Sequence, residues 1–183
     1  MKIVGIDLAG NPRNDTGFCV LTANETLKEV ETKILHSDDE VIENLSQIKP
    51  ELIAIDAPLT YSGENRKCDD LLKDYGALPV TLRGMEMLAI RGTELAKKLR
   101  NNNFKVIEIF ATGSAKILGF YNASEKEMQK QLMNAKIRGD VEKRFLNKDE
   151  LDAIFAAITG YLYIKNSTTA IGDETGTIIV PKV

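Results

Sequence analysis

The sequence predicts an α/β domain, and two observations carry that prediction. Three short apolar runs, at Lys2 to Gly10, Leu52 to Pro58 and Lys105 to Phe110, have the make-up of buried strands, and each holds one acid near its carboxyl end. Between and after them lie segments whose apolar residues recur at i, i+3 and i+4, the spacing of a helix face. The 183 residues amount to about one domain, enough to bury a core without disulfide or metal staples.

Each element follows from its residues. Lys2 to Gly10 is apolar on both alternating faces and stops at a Gly-Asn-Pro turn, so it reads as a central strand. Thr16 to Thr22 and Leu27 to Leu35 form an antiparallel hairpin; in the second arm Glu29, Glu31 and Lys33 alternate with Val30, Thr32 and Ile34, leaving one face wet. Asp38 or Asp39 caps a short helix carrying Val41, Ile42 and Leu45, and Leu52 to Pro58 is the next buried strand. Residues 61–82 read as a polar loop insertion with at most one helical turn. A helix then carries Met85, Leu88, Ala89, Leu95 and Leu99, followed by the strand at Lys105 to Phe110. A short helix at Thr112 to Gly119 precedes a longer one from Ser124 to about Phe145, with Glu127 three residues after the capping serine. The last helix begins near Asp149, with Leu151, Ile154, Phe155, Ile158 and Leu162 on its apolar face, and Thr177 to Val180 is a final strand. No linker or repeat interrupts the chain, so residues 1–183 are expected to form one domain.

Composition removes several chemistries. His36 is the single histidine and Cys19 and Cys68 the two cysteines, so multi-histidine sites and Cys/His zinc knuckles are excluded. A net charge of −3 disfavours coating a nucleic acid by bulk charge, although Ser124 to Lys148 holds seven Lys or Arg against four acids, a local net of +3. No signal-peptide pattern is recognised and no apolar run approaches the ~18 residues of a membrane span, so a cytoplasmic setting without membrane contact is expected. Chemistry must rest on carboxylates, hydroxyls, Lys or Arg.

The acids are where such chemistry collects. Period two puts Ile3, Gly5 and Asp7 on one face of the first strand and Leu52, Ala54 and Asp56 on one face of the next long apolar run. The residue two before each acid is small, which is expected to leave room in front of the carboxylate for something other than protein. Glu108 occupies a matching position near the end of its strand. Asp149 and Asp152, at i and i+3, share a face of the last helix, where Asp149 also serves as a capping residue. The small neighbours Ala153, Ala156, Ala157 and Gly160 let that helix approach the sheet and push Asp152 toward the strand ends. Two carboxylates ~4 Å apart repel by about 4 kcal/mol at an effective dielectric near 20, so one must hold a proton or a cation must bind. With oxygen donors alone, the fitting ion is Mg²⁺ or Mn²⁺.

Gly5-Ile6-Asp7 with Thr16-Gly17 opening the next strand, Ala54-Ile55-Asp56-Ala57-Pro58, and Asp149-x-x-Asp152-Ala153 together resemble the ribonuclease H-like superfamily. The chain is similar, more narrowly, to the predicted nucleases called the domain of unknown function 429 family, through Ile55-Asp56-Ala57-Pro58-Leu59, Arg66 with Cys68-Asp69, Arg91-Gly92 and Val106-Ile107-Glu108-Ile109. The resemblance covers nearly the whole chain. It implies a central mixed five-stranded sheet of order 3-2-1-4-5 with strand 2 antiparallel, flanked by helices. It implies Asp7 and Asp56 as metal-bridging acids, Asp152 with Asp149 beside it as the late-helix acids, and Glu108 as a further catalytic position. Ala111 stands where the family usually has proline, and Lys148 where it often has histidine; lysine can bind phosphate but is a poor neutral base.

The expected activity is divalent-metal-dependent hydrolysis of nucleic-acid phosphodiesters using one or two Mg²⁺ or Mn²⁺ ions, with Arg66, Arg91 and Lys148 contacting substrate and Arg83 more readily read as solvated surface. Two readings compete: a nucleotide- or phosphometabolite-binding protein on the same fold, and an inactive interaction module whose acids act as caps. Oligomeric state is left between monomer and homodimer.

Overall fold

The computed structural model describes residues 1–182; Val183, the last residue of the expected domain, lies outside it. In chain order the elements are β1 (Lys2–Asp7), β2 (Thr16–Ala23), β3 (Lys28–Leu35), α1 (Asp38–Ile48), β4 (Leu52–Asp56), α2 (Lys67–Leu71), α3 (Arg83–Asn101) and β5 (Val106–Ile109). They continue with α4 (Ala111–Ile117), α5 (Glu125–Asn134), β6 (Ile137–Gly139), α6 (Asp140–Lys143), α7 (Lys148–Ile164), β7 (Thr168–Asp173) and β8 (Gly176–Pro181).

The strands form one mixed sheet of order β6-β3-β2-β1-β4-β5-β8-β7. Its centre is the expected 3-2-1-4-5 arrangement, with β2 antiparallel to both neighbours and β1, β4 and β5 parallel. The five-stranded expectation is exceeded at both edges: β6 joins β3 in parallel, and the β7–β8 hairpin extends the sheet beyond β5. β1 and β4 run in the same direction, so their carboxyl ends share one edge, the place where open α/β sheets bind ligands.

Two apolar layers sandwich the sheet. On one face Ile3, Ala54 and Ile109 pack under α7, whose Leu151, Ile154 and Phe155 are fully buried between the sheet and the segment containing α4 and α5. On the other, Val4, Ile6, Ile53 and Ile55 pack against Val41 and Leu45 of α1 and Leu95 and Leu99 of α3. Strands buried on both sides need apolar residues at every position, which is why β1 and β4 read as continuous runs.

The long helix expected from Ser124 is broken. After α5, Lys136 takes a left-handed conformation (φ 63°) and Gly139 a φ of 94°, and the intervening residues pair with β3 as β6. Elsewhere Ser37, rather than Asp38 or Asp39, caps α1 through a box with Glu40. Cys68, which falls within the polar 61–82 segment, is buried with Leu72, Ile178 and Val180. Within 61–82, α2 and a 3₁₀ turn at Lys73–Tyr75 fold against the β7–β8 hairpin through that cluster.

Candidate active site

Asp7 and Asp56 are direct partners in the parallel β1–β4 pair, so their side chains leave the same face of adjacent strands. The same face carries α7, held close by glycine: a Cβ at Gly5 would lie 2.1 Å from the Ala153 carbonyl oxygen, and one at Gly17 only 2.0 Å from the Asp149 carbonyl oxygen. The space beside Gly5 is therefore filled by α7 and not left for a ligand, a correction to the sequence expectation. What the missing side chain achieves is to bring the first turns of α7, with Asp149 and Asp152, down to the end of β1.

Asn147 is the N-cap of α7, with a capping box to Glu150, so Asp149 is not the cap and sits in the first turn. Asp152 is buried and hydrogen-bonded by the Lys148 ammonium one turn back. Glu150 turns the other way, into Thr32 and Arg144, and helps pin the helix to β3.

The electrostatics bind these acids into one group. Burial, then the charges of Asp56, Asp152 and Asp149, hold the Asp7 carboxyl well above the usual carboxylate range. Burial, followed by the charge of Asp152, pushes Asp56 up to about 7. Asp152 and Asp149 are also raised, first by burial; Asp15 adds to the effect at Asp149, while Lys148 lowers all four. Asp15 was missed by sequence reasoning. It follows the Gly10 to Asn14 turn, which carries no periodicity to show where it folds, yet Asp15 shares an open polar groove with Asp7, Arg13, Asn14 and Asp149.

Glu108 touches this group only through its charge, the last of the causes that raise Asp56. It pairs in register with Ile55, one residue short of Asp56, and so leaves the opposite face of the sheet. There it accepts hydrogen bonds from the Leu59 backbone (2.7 Å) and from both terminal nitrogens of Arg66 (3.0 and 2.8 Å). Arg66 is 2% exposed and directs its remaining donors to Asp69 and Thr60, leaving none for a substrate. Burial opposes its charge, but its bonds to Asp69 and Glu108 keep the guanidinium firmly protonated. Arg91 is buried too, clamping Asp38 and the carbonyls of Ala9 and His36, so that it fixes the loop after β1 to α1 and α3. Arg83, at the start of α3, is exposed, as expected.

The donor set suits a hard divalent cation: oxygen ligands only, all partly or fully buried, with Asp152 raising the proton affinity of both Asp7 and Asp56 and Asp56 raising that of Asp7. Among the described residues no three His, Cys, Asp or Glu side chains stand as a preformed ligand set. The Lys148 ammonium instead supplies the positive charge at Asp152.

The 3-2-1-4-5 order at the centre of the sheet, with β2 antiparallel and α7 packed across it, is a ribonuclease H-like fold. The chain is similar in structure to RuvC of Thermus thermophilus, with a TM-score of 0.55 over 91% of this chain and 96% of that one, at 14% sequence identity. At that identity the likeness concerns the fold. No protein-family model matches the sequence, and no curated protein matches it significantly. No helix among the described residues is long and apolar enough to cross a membrane.

Proposed function

We propose that the protein is a divalent-metal-dependent nuclease, cleaving nucleic-acid phosphodiesters at Asp7, Asp56 and Asp152. The observation that carries this reading is the coupling of three carboxylates, from β1, β4 and α7, at the ligand-binding edge of the sheet. A folded protein relieves such repulsion by keeping protons on the acids or by binding a cation, and the all-oxygen donor set at this edge suits the cation. The motif resemblance to the domain of unknown function 429 family supports the same reading.

Bound Mg²⁺ or Mn²⁺ would acidify the attacking water and neutralise charge on the phosphate and leaving oxygen. Asp7, between Asp56 and the α7 acids, orients these groups from the centre. Asp149 faces the polar groove, where it can accept a proton from water. Lys148, half exposed and flexible, is free to turn from Asp152 to a phosphate oxygen once Asp152 has a metal partner. Glu108, Arg66 and Arg91 build and hold the site and take no part in the chemistry. The remainder of the basic stretch, 124–147, is a weaker candidate for backbone contact, because Lys130, Arg138, Lys143 and Arg144 pair with acids of the protein itself.

The test is Mn²⁺-dependent cleavage of labelled DNA and RNA by the wild type, lost in Asp7→Asn. One observation favours a non-catalytic rival: Lys148 already neutralises part of the acid cluster within the protein. Calorimetry separates the two, since a non-catalytic module would release no heat on titration with Mn²⁺.

A further inference from the structure

A cavity of about 200 Å³ opens beside Asp7 and Asp56 and shares only Asp7 with the polar groove. Those two carboxylates and the Arg66–Glu108–Asp69 cluster form its polar part, and most of the remaining wall is apolar, including Leu78, Met85, Leu88, Phe110 and Ile178. That wall comes from five separate parts of the chain: residues 57–58 after β4, the segment at 76–78, the first turns of α3, the end of β5, and Ile178 within β8. The insertion at 61–82, for which sequence offers no purpose, supplies one side of this hollow. Asp7 thus stands between an apolar hollow and a polar groove containing Arg13 and Asn14.

A nucleotide chain has the same division, an aromatic base on one side and a charged backbone on the other. An apolar cavity of roughly 150 Å³ holds a benzene ring, so this one admits a single heterocycle and has no room for a base pair. Arg66 has no free donor, and the apolar walls offer contact to the face of a ring, the sequence-tolerant mode of single-strand binding. We propose that the hollow seats one unstacked nucleobase next to the bond to be cut, making single-stranded or locally unpaired nucleic acid the substrate class. This rests on the nuclease reading for the position of the phosphate.

The chain has no tryptophan, so Leu78→Trp, at a half-exposed position on the rim, places a lone indole at the mouth of the hollow. In an Asp7→Asn background, chosen to prevent cleavage during the titration, this protein is titrated with single-stranded oligothymidylate, a duplex of the same length, and an abasic oligodeoxyribose phosphate. The expected result is quenching by the single strand at a concentration lower by roughly tenfold or more than for the other two, the effect of one stacked base. Adding Ala77→Phe, which narrows the hollow, removes that preference while the thermal melt shows the protein folded. Equal quenching by all three polymers, or none, overturns the proposal. Wild-type cleavage with Mn²⁺ is measured separately. Cleavage without base-dependent quenching discards the hollow and leaves the nuclease reading standing. Base-dependent quenching without cleavage keeps the hollow as a site for an unpaired base and discards the nuclease.

Discussion

Asp7, Asp56 and Asp152 are partly or fully buried acids with raised proton affinity, and their substitution tests the proposed chemistry residue by residue. Asp7→Asn removes the central repulsion, so it should abolish metal-dependent cleavage and stabilise the metal-free protein near pH 8 by about 1–3 kcal/mol, a difference visible in urea unfolding. Lys148→Met has the opposite profile: the metal-free protein loses stability, and Mn²⁺ binds roughly tenfold more tightly by calorimetry because no ammonium competes for Asp152. Unchanged affinity would show that Lys148 does not occupy the cation's place. Arg66→Met leaves Glu108 and Asp69 as unpaired buried charges and should cost about 3–5 kcal/mol in chemical denaturation. The three central acids are legible in the sequence because an acid ending a wholly apolar run is conspicuous. Glu108 satisfies the same pattern, and only strand register reveals that it faces the other way. Arg66 reads as a loop charge because nothing local marks the distant Glu108 as its partner.

Helix α7 is the element that turns two strand-end acids into a cluster. It lies over β2, β1 and β4 because Gly5 and Gly17 present no side chain to it, and Gly160 continues the close approach toward Ile3 and Ala54. Gly5→Ala forces a methyl against the backbone at Ala153 and Ala157, and should cost about 3 kcal/mol or more, the upper end of overpacking penalties. Cleavage should fall with it even at temperatures where the variant stays folded, since Asp152 is displaced from Asp7. The long apolar helix is plain from its i, i+3, i+4 pattern, and so are β1 to β5. The edge strands are not: β7 is Thr-Thr-Ala-Ile-Gly-Asp, without an alternating apolar face, and β6 is three residues long inside a segment with helical composition. Such strands exist because a sheet edge offers them backbone partners, which is tertiary information.

The fold as a whole is tuned by the protonation of this cluster. Asp56 titrates at about 7 in the folded protein, while an unfolded aspartate titrates near 3.9. The folded state therefore binds more protons across that interval, and the metal-free protein loses stability as pH rises from about 4 to about 7. Thermal melts in chelator should show that decline, and saturating Mn²⁺ should offset it at neutral pH and above; a flat profile in chelator would mean the acids are not coupled. Cleavage should rise through the same interval as Asp56 loses its proton to make way for metal. The most direct measurement is anomalous diffraction from crystals soaked in Mn²⁺. One or two peaks should lie among Asp7, Asp56 and Asp152, with the Lys148 ammonium moved away from Asp152. Density that leaves Lys148 on Asp152, with no manganese between the three carboxylates, would contradict the assignment.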